Sequence, residues 1–428
     1  MVCVTVLAVA LSVLTGCQPT TQTSPAVTTT QAAAPLPRIG VKDGQFVELP
    51  SGKLFKPRGF NYIRGRDIGY VWHDTFNPKR YDPVTVEAAL ADIGSHGFNT
   101  VRVFIDPKAE AGTVLNRQAA ELSPVYMDNV CNFLQRARAH GIHVIVAMCD
   151  RPETDYYDQI AGPPPANIRG ANLDVVNPGH IKAKAQYIAD FAAGIAKRDR
   201  TLLTTLFSYE LDNETNMVVN QPPFSVREGQ FTLNGKSYDL SVEAEHQRLA
   251  DDAVRLAADT TVDAVRKVDP EAMVSINVFT FKAVRRTGPG RTHTDTGRDV
   301  RFPARPMALV ESKLAYLDIH LYSIAADWLA DDLKSVEWDK LLPACRQAGK
   351  PLLMGEFGAF RGTANSAVQA AERTTDHARR VLGLGFAGFL LWTYDTDEQN
   401  FIWNAKKDGG PVFRAMAELV AKEASAAR

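Results

Sequence analysis

The sequence predicts an α/β fold, a single (β/α)8 TIM barrel, and three observations carry that prediction. Eight short apolar runs recur along the chain, separated for the most part by amphipathic helical stretches, the alternation expected of parallel βαβ units. The runs are apolar with few interruptions, as strands covered on both faces must be. No GxGxxG follows any of them, which argues against the open, doubly wound sheet that shares the same alternation. The chain has 428 residues. One barrel with insertions can use that length, since such barrels take about 250 residues and can exceed 400.

Taken in order, the eight strand candidates are Lys56 to Asn61, Phe98 to Ile105, Ile142 to Met148, Leu202 to Glu210, Met273 to Phe279, Leu317 to Leu321, Pro351 to Glu356 and Ala387 to Trp392. Upstream, Phe46 to Phe55 reads as a hairpin with Ser51-Gly52 at its turn. Ser123-Pro124 supplies a cap and a first-turn proline for a helix whose Tyr126, Val130, Phe133, Leu134 and Ala137 form one stripe, and Gly141 closes it. Asn177-Pro178 opens another helix in the same way. Further helices are predicted over about 83–96, 243–268, 327–348, 366–383 and 411–426. The loops after strands three, four and five, about 149–177, 215–242 and 280–310, are longer than a barrel needs. Loops of that length are usually functional or without fixed structure. The second of them carries a hairpin signal, Phe231 to Tyr238 around Asn234-Gly235.

The first residues are read apart from the barrel. Met1 to Gly16 is an apolar run ending in small residues, too short to span a bilayer comfortably, and reads as a signal peptide. Leu14-Thr15-Gly16-Cys17 resembles a bacterial lipobox, which implies cleavage before Cys17 and lipidation of its thiol. Residues 17–38, uncharged up to Pro37 and rich in Thr, Pro and Ala, are expected to be a disordered linker, leaving 39–428 as the barrel. The expected location is extracytoplasmic, on a bacterial membrane through a lipid anchor. With 45% hydrophobic and 23% charged residues and a net charge of −1, nothing global points to nucleic acid or an acidic polymer as partner. Cys131, Cys149 and Cys345 lack metal-site spacing and read as buried thiols, with a Cys131–Cys149 pairing left open.

In a barrel, polar residues at the C-terminal ends of strands face the active-site bowl. Those ends hold Arg102, the pair Asn213-Glu214, His320 and Tyr322, Glu356 and Trp392. Two carboxylates facing each other over an aromatic surface are what hydrolysis of a glycosidic bond needs: one acid protonates the leaving oxygen, the other carboxylate attacks the anomeric carbon. Arg102 beside Glu356 would keep that carboxylate ionised. Trp392 would offer a flat face to a sugar ring. No metal and no organic cofactor are expected, because His320 has no neighbours in ligand spacing.

The string LFSYELDNE, followed far downstream by PLLMGEFG, resembles the clan-A glycoside hydrolases, most closely family 5 with its cellulases and mannanases. The resemblance covers about residues 40–425 and implies a retaining hydrolase of β-linked glycans. It implies Glu214 as acid/base with Asn213 as its partner and Glu356 as nucleophile, with Arg102, His320, Tyr322 and Trp392 completing the site. Thr215 stands where the family usually has proline, Asp212 where an apolar residue is common, and Cys149-Asp150-Arg151 where a histidine is frequent. Asp150 and Asp212 are therefore candidates to bind sugar hydroxyls or to pair with Arg151. Glu210 is expected to be structural, bridging to a basic group inside the barrel. Trp72, His73, Tyr156, Tyr157 and Trp403 are candidate stacking residues, with Trp72 the first choice. Arg285, Arg286, Arg291, Arg298, Arg301 and Arg305 form either a solvated loop or a cationic lip. The long loops favour a pocket and exo action. The alternatives are a non-catalytic glycan-binding lipoprotein on the same barrel and a clan-A furanosidase. An aldolase-type barrel lacks its strand-end lysine and phosphate loop.

Overall fold

A computed structural model of the chain describes residues 33–65, 73–290, 299–322 and 328–426. The signal segment, Cys17 and Trp72 lie outside the described residues.

The barrel strands are β1 (Arg58–Asn61), β2 (Thr100–Ile105), β3 (His143–Met148), β4 (Leu206–Glu210), β5a (Val274–Ser275), β5b (Asn277–Phe279), β6 (Leu317–His320), β7 (Leu352–Phe357) and β8 (Gly388–Leu391). All neighbouring pairs are parallel, in the order β5a-β4-β3-β2-β1-β8-β7-β6-β5b. The two ends of that order are halves of one run parted at Ile276. β5a pairs with β4 and β5b with β6, so the ring closes and no edge is left open. The outer helices are α1 (Pro83–Ser95), α2 (Pro124–Ala139), α3 (Pro178–Asp199), α4 (Glu243–Arg266), α5 (Pro306–Val310), α6 (Trp338–Gln347), α7 (Ala367–Gly383) and α8 (Pro411–Ala426). Asp82, Ser123, Asn177 and Ser366 cap α1, α2, α3 and α7, each side-chain oxygen accepting from a first-turn N–H, and the first three helices begin on proline.

Four boundaries differ from the sequence expectation. Arg200–Thr204 is a 3-10 turn, so β4 begins at Leu206 rather than Leu202. The single helix expected over 327–348 is two, Trp328–Ser335 and α6, because Glu337 between them takes a left-handed φ of 56°. The short helix α5 lies inside the stretch 280–310 expected to be loop; five residues carry too little period to be seen in sequence. The hairpin at 46–55 gains a third strand, giving Arg38–Lys42, Gln45–Leu49 and Lys53–Leu54.

That small sheet covers the N-terminal mouth of the barrel. Ile39, Phe46 and Phe55 pack on Ile145, Phe207, Met273, Tyr316, Leu353 and Leu390 at the strand starts, with Phe46 edge-on to Phe207 at 5.0 Å and to Tyr316 at 5.2 Å. The expected Asn-Gly hairpin is present: Gln230–Leu233 pairs with Lys236–Asp239, and Asn234 and Gly235 take φ of 49° and 80°. Cys131, Cys149 and Cys345 are free, so the Cys131–Cys149 bond does not form. Among the described residues, no helix is long and apolar enough to cross a membrane.

Candidate active site

At the C-terminal mouth, a buried guanidinium organises the strand ends. Arg102 on β2 is inaccessible to solvent and donates four bonds. Its Nε reaches Glu210 on β4 at 2.6 Å, and one terminal nitrogen reaches both Asn61 on β1 at 2.9 Å and Glu356 on β7 at 2.6 Å. The other reaches Asn213 at 2.8 Å. A planar fork can hold four acceptors at once, which an ammonium could not do in the same geometry. Glu210 is thus the structural bridge that the sequence suggested.

Beyond Glu210 the alternation of β4 breaks down. Asn277 on β5b donates to the Glu210 carboxylate at 3.0 Å and to the Asp212 carbonyl at 2.7 Å, and its side-chain oxygen accepts from the Glu214 N–H. This clamp holds Glu214 at a φ of 51°, a conformation rare for a residue with a Cβ. Alternation would have put Glu210, Asp212 and Glu214 on one face. Instead, Asp212 turns toward Lys184 on α3 at 3.9 Å, and Glu214 projects into the bowl with 27% of its side chain exposed.

Glu356 is aimed by a different irregularity. The register between β7 and β8 shifts between Met354 and Phe357, a bulge that re-orients the residue inside it. Gly355 is required there, since an added Cβ would come within 2.0 Å of the Asp318 carboxylate, which accepts the Gly355 N–H at 2.7 Å. Glu356 accepts a bond from the Tyr322 hydroxyl at 2.9 Å. Burial and the charge of Glu356 hold that phenol well above its usual range, so it stays a donor.

His320, fully buried on β6, stands between the two glutamates: Nδ1 lies 3.2 Å from Glu214 and 3.4 Å from Glu356. One ligand-capable atom of each of the three side chains lies within 4.8 Å of the others, and this set is where a metal ion could be held among the described residues. The sequence spacing gave no hint of that cluster, because its members come from three separate strands.

The two carboxyls are displaced from their ordinary ranges in opposite directions. Burial pushes Glu214 up, but the hydrogen bond and charge of His320, with Arg301 and Arg102 behind it, outweigh burial and hold it below the usual range. Burial pushes Glu356 above the usual range, against the pull of His320 and Arg102, and the neighbouring charge of Glu214 pushes the same way. Arg102 therefore lowers Glu356, as the sequence reading expected, without overcoming its burial. Deeper still, Asp318 is held well above its range by burial and by Glu210.

Glu214, Glu356, Asn213, His320, Tyr322 and Trp392 share one cavity of about 790 Å³. The Trp392 indole N–H is fixed by Gln399 at 2.5 Å. Asp150 stands apart, lining a second cavity of about 700 Å³ with Arg151, Asp174 and His180. Arg151 pairs with Asp158 at 2.9 Å and approaches Asp174 at 3.9 Å, so neither Asp150 nor Asp212 is its partner. The other aromatic candidates are also elsewhere. His73 stacks on Phe104 at 4.0 Å, Tyr157 is buried and donates to Asp190, Tyr156 packs edge-on to Tyr157, and Trp403 donates to the Ala364 carbonyl. The aromatic lining of the main cavity comes instead from Trp392, Phe279, Trp328, Phe360 and Phe401. The last four sit in or beside loops, where one sequence offers no signal to choose among aromatics.

A closed (β/α)8 barrel with glutamates beyond β4 and at the end of β7, joined through one histidine, with an arginine bonded to the second, defines a glycosidase scaffold. The chain matches the family model described as Cellulase (glycosyl hydrolase family 5) over residues 56–408. It belongs to that family and is a retaining O-glycosyl hydrolase. No curated protein matches the chain in sequence. Among solved structures it is similar to an endo-1,4-beta-mannanase from Rhizomucor miehei, at 17% identity and a TM-score of 0.59 over 90% of this chain and 99% of that one. It is also similar to the exo-beta-1,4-mannosidase Op5Man5 from Opitutaceae bacterium strain TAV5, at 19% identity and a TM-score of 0.56, covering 91% of this chain and 63% of that one. A third is GH5_18 from Streptomyces cattleya in complex with Manb1-4GlcNAc, at 17% identity and a TM-score of 0.54 over 86% and 81% of the two chains.

Proposed function

We propose that the protein hydrolyses β-1,4-linked mannosides by double displacement, with Glu356 as nucleophile and Glu214 as acid/base, removing sugars from a chain end. The observation that carries the residue assignment is the spacing of the two carboxylates, one oxygen of each lying within 4.8 Å. Retaining pairs sit about 5–5.5 Å apart, whereas inverting pairs need about 6.5–9.5 Å to admit water. The mannoside assignment is supported by similar structures that are named for mannan-active enzymes.

In the first step Glu356, held by Arg102 and Tyr322, attacks the anomeric carbon while Glu214 delivers its proton to the departing oxygen. In the second, Glu214 takes a proton from water, which attacks the same carbon and releases Glu356. As the side chains stand, the polarity is the opposite, with Glu214 pulled down and Glu356 pushed up. A bound sugar would strip water from the part-exposed Glu214 and raise it. Glycosylation of Glu356 would then remove a neighbouring negative charge and lower Glu214 again, as its second role requires.

Exo action is supported by the walls of the site. The chain after β4 and the chain after β5 pair with each other, Asn216–Val218 against Arg301–Pro303, and the cavity volume is that of a small-ligand pocket rather than an extended groove. We also propose extracytoplasmic membrane anchoring through Cys17, on the support of Leu14-Thr15-Gly16-Cys17 following an apolar run. Cys17→Ser should then move the protein from the membrane to the soluble fraction.

The test is turnover of a panel of aryl β-glycosides and of mannohexaose by the wild type, Glu214→Gln, Glu214→Gly and Glu356→Gln. Expected are loss of roughly 10²–10⁴-fold in Glu214→Gln, partial rescue by azide in Glu214→Gly, no turnover in Glu356→Gln, and mannose as the first product. Activity persisting in Glu356→Gln would reject the assignment.

A further inference from the structure

Of the cations on one wall of the cavity, Arg301 helps hold Glu214 down, but Lys282 and Arg285 touch neither glutamate. Apart from the two glutamates and His320, the charged residues lining the cavity, among the described residues, are Lys282, Arg285, Arg301 and Asp332. Asp332 is 7% exposed and accepts from the Thr280 hydroxyl. The three cations all come from the chain leaving β5, and two of them are held in place by acids. Arg301 opens the strand that pairs with Asn216–Val218, is joined to Asp299 at 2.7 Å and lies over the Phe279 ring at 5.0 Å. Lys282 sits in the 3-10 turn Phe281–Val284, whose first turn is capped by Thr280, and pairs with Asp331 at 3.1 Å. Arg285 ends that turn in a left-handed conformation at a φ of 59°. It is exposed and has no ion pair or hydrogen bond from its guanidinium among the described residues.

Their position along the substrate is set by Glu214: the strand that Arg301 opens pairs with Asn216–Val218, which begins two residues after Glu214. The acid that protonates the leaving oxygen faces the leaving group, so the cationic wall borders the leaving-group side. A neutral sugar there needs an aromatic face and neutral hydrogen-bond partners, and Phe279 and Trp328 already supply the first. Clustered like charges on one segment repel one another unless a counter-charge arrives. Asp331 and Asp299 pair with Lys282 and Arg301, whereas the Arg285 guanidinium has no ion pair among the described residues.

We propose that the leaving-group side of this cavity binds an anionic substituent (carboxylate, sulfate or phosphate) on the sugar being released, with Arg285 as its principal contact and Arg301 and Lys282 beside it. Guanidinium groups meet such oxyanions through paired, charge-assisted hydrogen bonds. The inference rests on the glycosidase reading above, because that reading orients the cavity.

The experiment compares matched disaccharides that share one glycone: mannosyl-β-1,4-glucose, the corresponding glucuronate, and the 6-sulfate and 6-phosphate of the glucose form. kcat/KM is measured at low and high ionic strength, and calorimetric binding of the same four compounds is measured whether or not they are turned over. The expected result is a preference of at least tenfold for one or more anionic forms at low salt. It should shrink toward parity in high salt and in Arg285→Gln, and be largely restored by Arg285→Lys. Which anion is preferred identifies the substituent. A neutral compound that is used or bound as well as the anionic ones overturns the proposal, as does a preference unchanged in Arg285→Gln. Turnover without anion preference would leave the glycosidase reading standing. Anion-selective binding without turnover of any β-glycoside would instead count against the catalytic assignment alone.

Discussion

The two mouths of the barrel are built from the same strands and do opposite work. At the N-terminal mouth Phe46, Phe207 and Tyr316 meet edge-on at 5.0–5.7 Å beneath a three-stranded cover, and the contacts are apolar. At the C-terminal mouth Arg102, Glu210, Asp318, His320 and Glu356 are each 3% exposed or less. The change happens within single strands. β4 passes from Leu206-Phe207 to Glu210, and β7 from Leu352-Leu353 to Glu356. Burying apolar surface needs only shape, whereas burying charge needs every partner in place. One end therefore supplies stability, and the other holds charges in a geometry that would be costly if any single member were missing.

The largest predicted effects separate the two ends. Arg102→Met leaves Glu210 and Glu356 buried without their cation, which should cost about 3–5 kcal/mol and also remove most turnover. Phe46→Ala should cost a similar amount, about 3–5 kcal/mol, yet leave kcat unchanged below its lowered unfolding temperature. Urea midpoints and kcat measured side by side decide this; a Phe46→Ala variant that lost turnover in proportion to stability would erase the distinction.

A middle-sized effect is expected at the clamp. Asn277→Ala frees the Glu214 N–H and leaves the Asp212 carbonyl and Glu210 short of a donor, at about 1–3 kcal/mol. Because Asn277 holds the backbone of Glu214, kcat should fall more than KM rises. The smaller effects concern protons. Burial and the charge of Glu210 push the Asp318 carboxyl well above its usual range, so Asp318→Asn, which removes that charge and keeps an oxygen to accept from the Gly355 N–H, should cost under about 1 kcal/mol. Asp212 is pushed up to about 6 by burial, against the pull of Lys184. Its native state binds the proton more tightly than the unfolded chain, so its contribution is complete below about pH 4 and lost as pH rises through about 6. Unfolding free energies of wild type and Asp212→Asn should therefore diverge across that window, with the wild type falling relative to the variant. Parallel pH curves would show that Asp212 is not shifted.

The eight strands were legible because burial on both faces leaves an unbroken apolar run. Arg102, Glu214, His320, Tyr322 and Glu356 could be picked out because polar residues at the ends of such runs have few reasons to be there, and Trp392 because it ends the last run with a flat aromatic face. What sequence could not supply was the consequence of irregular backbone. The clamp by Asn277 sits in an ordinary apolar run, and the Gly355 bulge shifts a register that pattern alone assumes to be regular. The parity of Asp212 was lost for the same reason. Loop aromatics were misplaced, with His73, Tyr156, Tyr157 and Trp403 outside the cavity and Trp328, Phe279, Phe360 and Phe401 lining it. Their positions depend on how long loops return to the barrel, and no local period records that. Of the arginines after β5, Arg286 is buried and Arg305 is joined to Asp251 and Glu337, while Arg285 and Arg301 reach the cavity. Arg291 and Arg298 lie outside the described residues.

The most direct test of the central claim is to trap the intermediate. Wild type incubated with a 2-deoxy-2-fluoro-β-mannosyl fluoride, digested and read by peptide mass spectrometry, should carry one sugar on the peptide containing Glu356, with activity lost in step with labelling. Labelling of a different carboxylate would contradict the account, as would turnover that inverts the anomeric centre and leaves Glu356 unmodified.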